Sequence, residues 1–138
     1  MQKRILLSLL LGVIFSISIF SQNLKVEKIT LPDSELTNLY KIDSGVYRSE
    51  QPSHEDFKAL EKYGKAPIVI HCHHGSDRTG AVCALYRVVF QNVSKEDAIH
   101  EMTEGGFGFH RIYKNIIRRI KEADIEQIRR KVMCTEGF

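Results

Sequence analysis

Cys72 and Arg78 stand with five residues between them in His71-Cys72-His73-His74-Gly75-Ser76-Asp77-Arg78-Thr79-Gly80. A thiolate is a strong nucleophile, and a guanidinium holds two oxygens of a tetrahedral anion in a planar fork. Gly75 lets the intervening chain turn tightly, and the successive backbone N–H groups of such a turn can close round a phosphate. A helix opening after the loop aims its positive end at the same point. In that field the Cys72 thiol is expected to ionise at neutral pH. The spacing therefore suits attack of sulfur on phosphorus, with Arg78 and the loop amides holding the charged oxygens. Such chemistry calls for no cofactor and no metal. His73, His74, Gly75, Ser76, Thr79 and Gly80 are candidates for binding the anion, with Asp77 beside Arg78 and His71 as a supporting residue.

Positioning these groups needs a strand before the loop and a helix after it. Ile68-Val69-Ile70 is a short apolar run leading in, and residues 81–90 form a long apolar run leading out. The second run predicts a helix over 79–91, apolar nearly all round and therefore central. Upstream, Val46–Ser49, a helix over 54–63 and Ile68–His71 predict a βαβ unit with parallel strands and a right-handed crossover. Ser53 and Asp56 form a capping-box pattern at that helix, Gly64 stops it, and Pro67 opens the strand. Residues 39–42 and Val46–Ser49 read as a hairpin turning at Gly45, and residues 25–29 as a short edge strand.

Downstream, Ser94 with Asp97 caps a helix that ends at Gly105-Gly106. In Phe107-Gly108-Phe109-His110 the two aromatics are expected to plug the core, in preference to forming a substrate-contacting loop. Ile112, Ile116 and Ile120 stripe a further helix. Asp124 with Gln127 caps another, carrying Ile125, Ile128 and Val132. Arg118-Arg119 and Arg129-Arg130-Lys131 read as solvated faces.

His-Cys-x5-Arg-Thr-Gly resembles the signature of the protein-tyrosine and dual-specificity phosphatase superfamily. The aspartate before Arg78, the stretch Val46-Tyr47-Arg48-Ser49-Glu50-Gln51-Pro52-Ser53 and the stretch from Glu101 to His110 resemble a bacterial, often exported, branch of it. The resemblance runs from about Leu39 to the C-terminal helices. It implies a phosphatase-like α/β fold and hydrolysis of phosphomonoesters through a cysteinyl phosphate. It also implies a Thr79 hydroxyl that helps the sulfur leave, and a His71 that orders the loop from beneath by hydrogen bonding. His73 and His74 fall at variable positions that rim the pocket. Phosphorylated protein or a small phosphomonoester would be the partner.

One part of the family pattern lacks a counterpart. Between the helix over 54–63 and Ile68–His71, relatives usually carry further strands and a mobile loop whose aspartate protonates the leaving oxygen. Here only Gly64-Lys65-Ala66-Pro67 intervene, so a reduced, small parallel or mixed sheet flanked by helices is expected. An open sheet edge and self-association through it follow. Asp33 and Asp43 precede the βαβ unit, which is the wrong chain order for the usual acid. Asp77 is the only carboxylate inside the loop, and the myotubularins, lipid phosphatases with a Cys-x5-Arg loop, carry an aspartate at this place. Asp77 is therefore the candidate substitute acid. The alternative is that it bonds loop amides or orients a neighbouring side chain.

The chain has 138 residues, one domain's length, and a formal net charge of +3. Met1-Gln2-Lys3-Arg4 followed by the apolar residues 5–20 predicts a secretory signal peptide over 1–21, with an uncleaved membrane anchor as the alternative. Residues 22–138 would then form the phosphatase-like domain, exported to the periplasm or beyond, without a membrane span. Its 117 residues carry a net charge of only +1, which argues against a nucleic-acid partner. Of three cysteines, Cys72 must stay free, Cys83 reads as a small core residue, and Cys134 has no evident role.

Other readings of the loop remain. A zinc site would need a second Cys or His pair and would place Arg78 beside the metal. A rhodanese-like sulfur transferase also puts a cysteine at the head of an anion-cradling loop, but lacks the Arg-Thr-Gly exit. A phosphoinositide or inositol phosphate phosphatase is the main alternative in substrate, ranked second because the loop holds Asp77 and no lysine. A catalytically impaired, phosphate-binding pseudo-phosphatase is the alternative in function.

Overall fold

The computed structural model describes residues 25–63 and 68–134. The expected signal peptide, and the roles given to Gly64 and Pro67, lie outside the described residues.

Among the described residues, four strands form one sheet in the order β1 (Glu27–Lys28), β2 (Tyr40–Lys41), β3 (Val46–Ser49), β4 (Ile68–His71). The first three are antiparallel neighbours, as the hairpin pattern predicts. β3 and β4 run parallel, with Val46 opposite Ile68 and Ser49 opposite His71. Between these two strands lies α1 (His54–Lys62), and after β4 come α2 (Asp77–Phe90), α3 (Lys95–Glu104), α4 (Lys114–Glu122) and α5 (Ile125–Met133). The architecture is the expected α/β arrangement, with a small mixed sheet and a parallel βαβ unit.

Alternation along β3 and β4 divides the packing. Tyr47 and Val69 join Ala59 and Leu60 of α1 in one apolar cluster, completed by Leu31, Leu36 and Leu39. Val46 and Ile70 join Cys83 of α2 in another, so Cys83 is the small core residue expected. Further along α2, Ala84 and Val88 pack with Ile99 and Met102 of α3 and Ile120 of α4. The sheet thus lies between α1 and α2, and α2 lies between the sheet and the last helices.

Local polar contacts fix the joints. At α1 both halves of the capping box form, and Asp56 also accepts from the Ser34 hydroxyl at 2.6 Å and the Glu35 N–H at 3.1 Å. The Ser34 bond, above all, brings the Asp56 carboxyl down to about 2, against the effect of burial. Asp43 closes the β2–β3 turn by accepting from the N–H groups of Gly45 and Val46 at 2.9 and 3.0 Å. Its other oxygen accepts from the Tyr86 hydroxyl of α2 and, at 3.1 Å, from Gln91 just past the end of that helix. Burial, and then the Asp43 partnership, push the Tyr86 phenol up to about 12. An aspartate outside the chemistry therefore fastens the hairpin to the helix behind the loop. Ser94 and Asp124 cap α3 and α5 as expected.

Three expectations need correction. α2 begins at Asp77, not Thr79, so Asp77 and Arg78 belong to its first turn. Nor is α2 enclosed: Val82 and Phe90 are 51% and 53% exposed on one stripe with Tyr86. The exposure has a simple cause. β4 ends the sheet, its Ile68 is 54% exposed, and no described element covers that flank. Finally, Arg129 is not part of a solvated face. Its guanidinium donates to the carbonyls of Val88 and Val89 at 2.8 and 3.0 Å and caps the C-terminus of α2.

Candidate active site

The loop between β4 and α2 is shaped from outside by donors that claim its carbonyls. The Gln51 N–H donates to His73 O at 3.2 Å, and Asn38 Nδ2 to His74 O at 3.0 Å. Arg48 Nη2 donates to Gly75 O at 2.8 Å. A peptide whose carbonyl is held outward presents its N–H on the opposite side. The N–H groups of His74, Gly75 and Thr79 accordingly converge on the Cys72 sulfur. Gly75 is required here. Its φ is +69°, and a Cβ would lie 2.5 Å from the backbone of Ser49 and Glu50.

Arg48 is the element of this frame that the sequence reading missed. It is 2% exposed, and its guanidinium lies 3.8 Å over the Phe107 ring. Burial pulls its pKa down. Removing a charge from water costs several kcal/mol, while one charge-assisted hydrogen bond returns about 1.5–3 and a desolvated cation–π contact about 2. Among the described residues, the fold tolerates this expense at one strand position, the one beneath the loop. Phe107 is buried as expected, yet the same turn also faces solvent beside the loop, so core plug and rim are one feature.

Burial tends to push the Cys72 thiol up. The Thr79 hydroxyl and the backbone N–H groups of Thr79, Gly75 and His74 outweigh it, and the net shift is downward. Thr79 Oγ1 is buried without a regular hydrogen bond, so its influence on the sulfur is that of a nearby O–H dipole. The Cys72 thiol is thus held below its ordinary value, whereas burial lifts Cys83 to about 11.

A cavity of about 590 Å³ opens over the sulfur, lined by Cys72, His73, His74, Asp77, Arg78, Tyr113, Asn115 and Ile116. Arg78 is exposed and makes no side-chain hydrogen bond among the described residues, so its fork is available to an anion. Across His73 and His74 lies a second, shallower cavity of about 500 Å³, reaching Lys28, Asn38, Glu50 and Ser76. The Glu50 carboxylate is occupied there by the N–H groups of Thr37 and Asn38, at 2.7 and 2.9 Å.

The other candidates fall as follows. Ser76 is buried and donates to His74 O at 3.3 Å, supporting the loop from within. Gly80 is outside both linings and makes room for Met102, whose Cγ would lie 2.9 Å from an added Cβ. His71 is exposed on β4 and makes no side-chain hydrogen bond among the described residues, so the ordering role from beneath belongs to Arg48. Asp77 accepts from His110 with both oxygens. Tyr113, Asn115 and Ile116, which complete the cavity, were not anticipated, because only the fold brings the start of α4 opposite the loop.

Comparisons with known proteins bear on the family and the fold. A model of the tyrosine phosphatase family matches residues 20–135. The dual specificity protein phosphatase TpbA of Pseudomonas aeruginosa, in each of two strains, is 38% identical over 72 residues, which are 52% of this chain and 32% of the relative. The aligned stretch thus spans about a third of the length of these curated relatives. The crystal structure of P. aeruginosa TpbA superposes with a TM-score of 0.65 at 22% identity, covering 81% of this chain and 98% of that one. A cysteine-to-serine variant of TpbA in complex with pTyr gives a TM-score of 0.64 at 20% identity, covering 82% and 98%.

Proposed function

The chain belongs to the tyrosine phosphatase family, and from that premise we propose that it hydrolyses phosphomonoesters through a phosphate ester of Cys72. The observation that carries the reading is the convergence of three loop N–H groups on a Cys72 thiol whose pKa is lowered, with Arg78 on the wall of the same cavity. Sulfur attacks phosphorus, the loop amides and the Arg78 fork hold the equatorial oxygens, and water later releases phosphate. The pTyr complex of a relative supports an aryl phosphate, as free amino acid or in a protein, as substrate. Vanadate-sensitive hydrolysis of 4-nitrophenyl phosphate by the purified protein is the test. Tight phosphate binding without turnover would leave the pseudo-phosphatase reading instead.

Two further properties belong to this reading. The basic and then apolar N-terminus supports export, and N-terminal sequencing of the mature protein should begin near Gln22. Recovery of the chain with Met1 in place would contradict cleavage. The β4 edge, with Ile68 and the α2 stripe of Val82, Tyr86 and Phe90 beside it, supports pairing with a second copy of the chain. Light scattering should give a dimer or larger species, and a monodisperse monomer would contradict the pairing.

A further inference from the structure

Asp77 and His110 are joined at two points across 33 positions of sequence: Oδ1 accepts the His110 backbone N–H at 2.8 Å, and Oδ2 meets Nδ1 at 2.9 Å. An ionised carboxylate only accepts, so Nδ1 carries its proton and Nε2 is the ring's remaining nitrogen. Nε2 makes no hydrogen bond among the described residues. The Asp77 side chain is 14% exposed and the His110 side chain 56%. The His110 ring lies 6.2 Å from that of His74 and 6.3 Å from that of Tyr113, and both of those residues line the cavity over Cys72.

We propose that His110, oriented by Asp77, is the general acid of the first step. The inference rests on the reading of Cys72 as nucleophile. In an in-line displacement from sulfur, the leaving oxygen lies on the far side of phosphorus, towards the mouth of the cavity. His110 is outside the lining itself but adjoins three of its residues, Asp77, His74 and Tyr113. Asp77 is a poor donor to a leaving oxygen, because His110 engages both of its oxygens. The imidazolium form of His110 presents an N–H at Nε2 while keeping its bond to Asp77. As the Cys72 Sγ–P bond forms and the ester P–O bond breaks, the Nε2 proton passes to the leaving oxygen. Neutral His110 then takes a proton from the attacking water. The new O–P bond forms, the S–P bond breaks, and thiolate and imidazolium are restored.

The groups facing His110 are Asp77 on α2, His74 in the loop, Tyr113 before α4, and the neighbouring Arg111–Glu104 pair, with Arg78 in the cavity beyond. The acid is the protonated ring, so turnover of esters with poor leaving groups should fall on the alkaline side, once the ring has lost its second proton. A general acid contributes about 10²–10⁴ in rate, most where the leaving group is a strong base. In the full chain, His110→Gln should slow phenyl phosphate and phosphoserine by at least about 10²-fold and 4-nitrophenyl phosphate by less than about tenfold. The alkaline limb for the poor leaving groups should vanish. Asp77→Asn keeps an acceptor for Nδ1–H but not the charge, and should move that limb to lower pH. Unchanged vanadate affinity checks that each loop is intact, and if His110→Gln fails to fold, the Asp77→Asn limb decides.

Equal loss for all esters in His110→Gln, or no loss for any, overturns the proposal. So does a leaving-group effect in Asp77→Asn that His110→Gln lacks, because Asp77 would then be the donor. A wild-type chain that hydrolyses nothing removes the phosphatase reading and this inference together. A wild-type phosphatase without the selective effect removes the inference alone.

Discussion

Cys72→Ser is expected to lose hydrolysis by at least about 10⁴-fold and still to bind vanadate, because the nucleophile is removed from an otherwise intact site. The reason is ionisation. The loop N–H groups and the Thr79 hydroxyl bring a thiol below its ordinary value despite burial. The same groups act on a serine hydroxyl whose proton is held far more tightly, so it stays neutral at pH 7. The anion cradle survives, because its carbonyls remain tied to Gln51, Asn38 and Arg48. Alkylation by iodoacetamide, followed against pH in the wild type, reports the thiolate directly. Retained turnover in Cys72→Ser would show that another residue attacks phosphorus.

Arg78→Lys is the second large loss, about 10³-fold or more in kcat. Removing one donor aimed at developing charge costs about 10²–10³ in rate, and a lysine gives up the two-point fork. Charge is conserved in this variant, so steering of the anion to the cavity is retained and the loss falls on the transition state. The exposed position of Arg78 in the first turn of α2 makes the substitution tolerable to the fold. Steady-state kinetics separates the cases: a raised KM with unchanged kcat would mean that Arg78 holds substrate and transition state equally.

The strand, loop and helix of the site were legible because each is a local pattern. An apolar run, a glycine that must take positive φ and a long apolar run follow one another from Ile68 to Phe90. The caps at Ser53, Ser94 and Asp124 were legible for the same reason. What escaped depends on distance in the chain. Arg48 sits on a strand in which neither its residue type nor its spacing points to a role. Only burial under the loop, with Phe107 on its guanidinium, gives it a role. The pairing of Asp77 with His110 spans two helices, α2 and α3, with their connections, and neither residue type announces the other. Exposure misled in both directions. Ile68 and Val82 carry core residue types but lie at the open flank of β4, and Arg129 carries a surface type but caps α2.

The central claim is that phosphorus passes through Cys72. Rapid acid quench of the full-length protein during turnover of 4-nitrophenyl phosphate, followed by peptide mass spectrometry, tests it most directly. The account requires a transient phosphoryl group on the peptide containing Cys72, absent from Cys72→Ser and decaying as phosphate appears. Phosphoryl transfer to water with Cys72 unmodified throughout, or a phosphoryl group on any other residue, would contradict it.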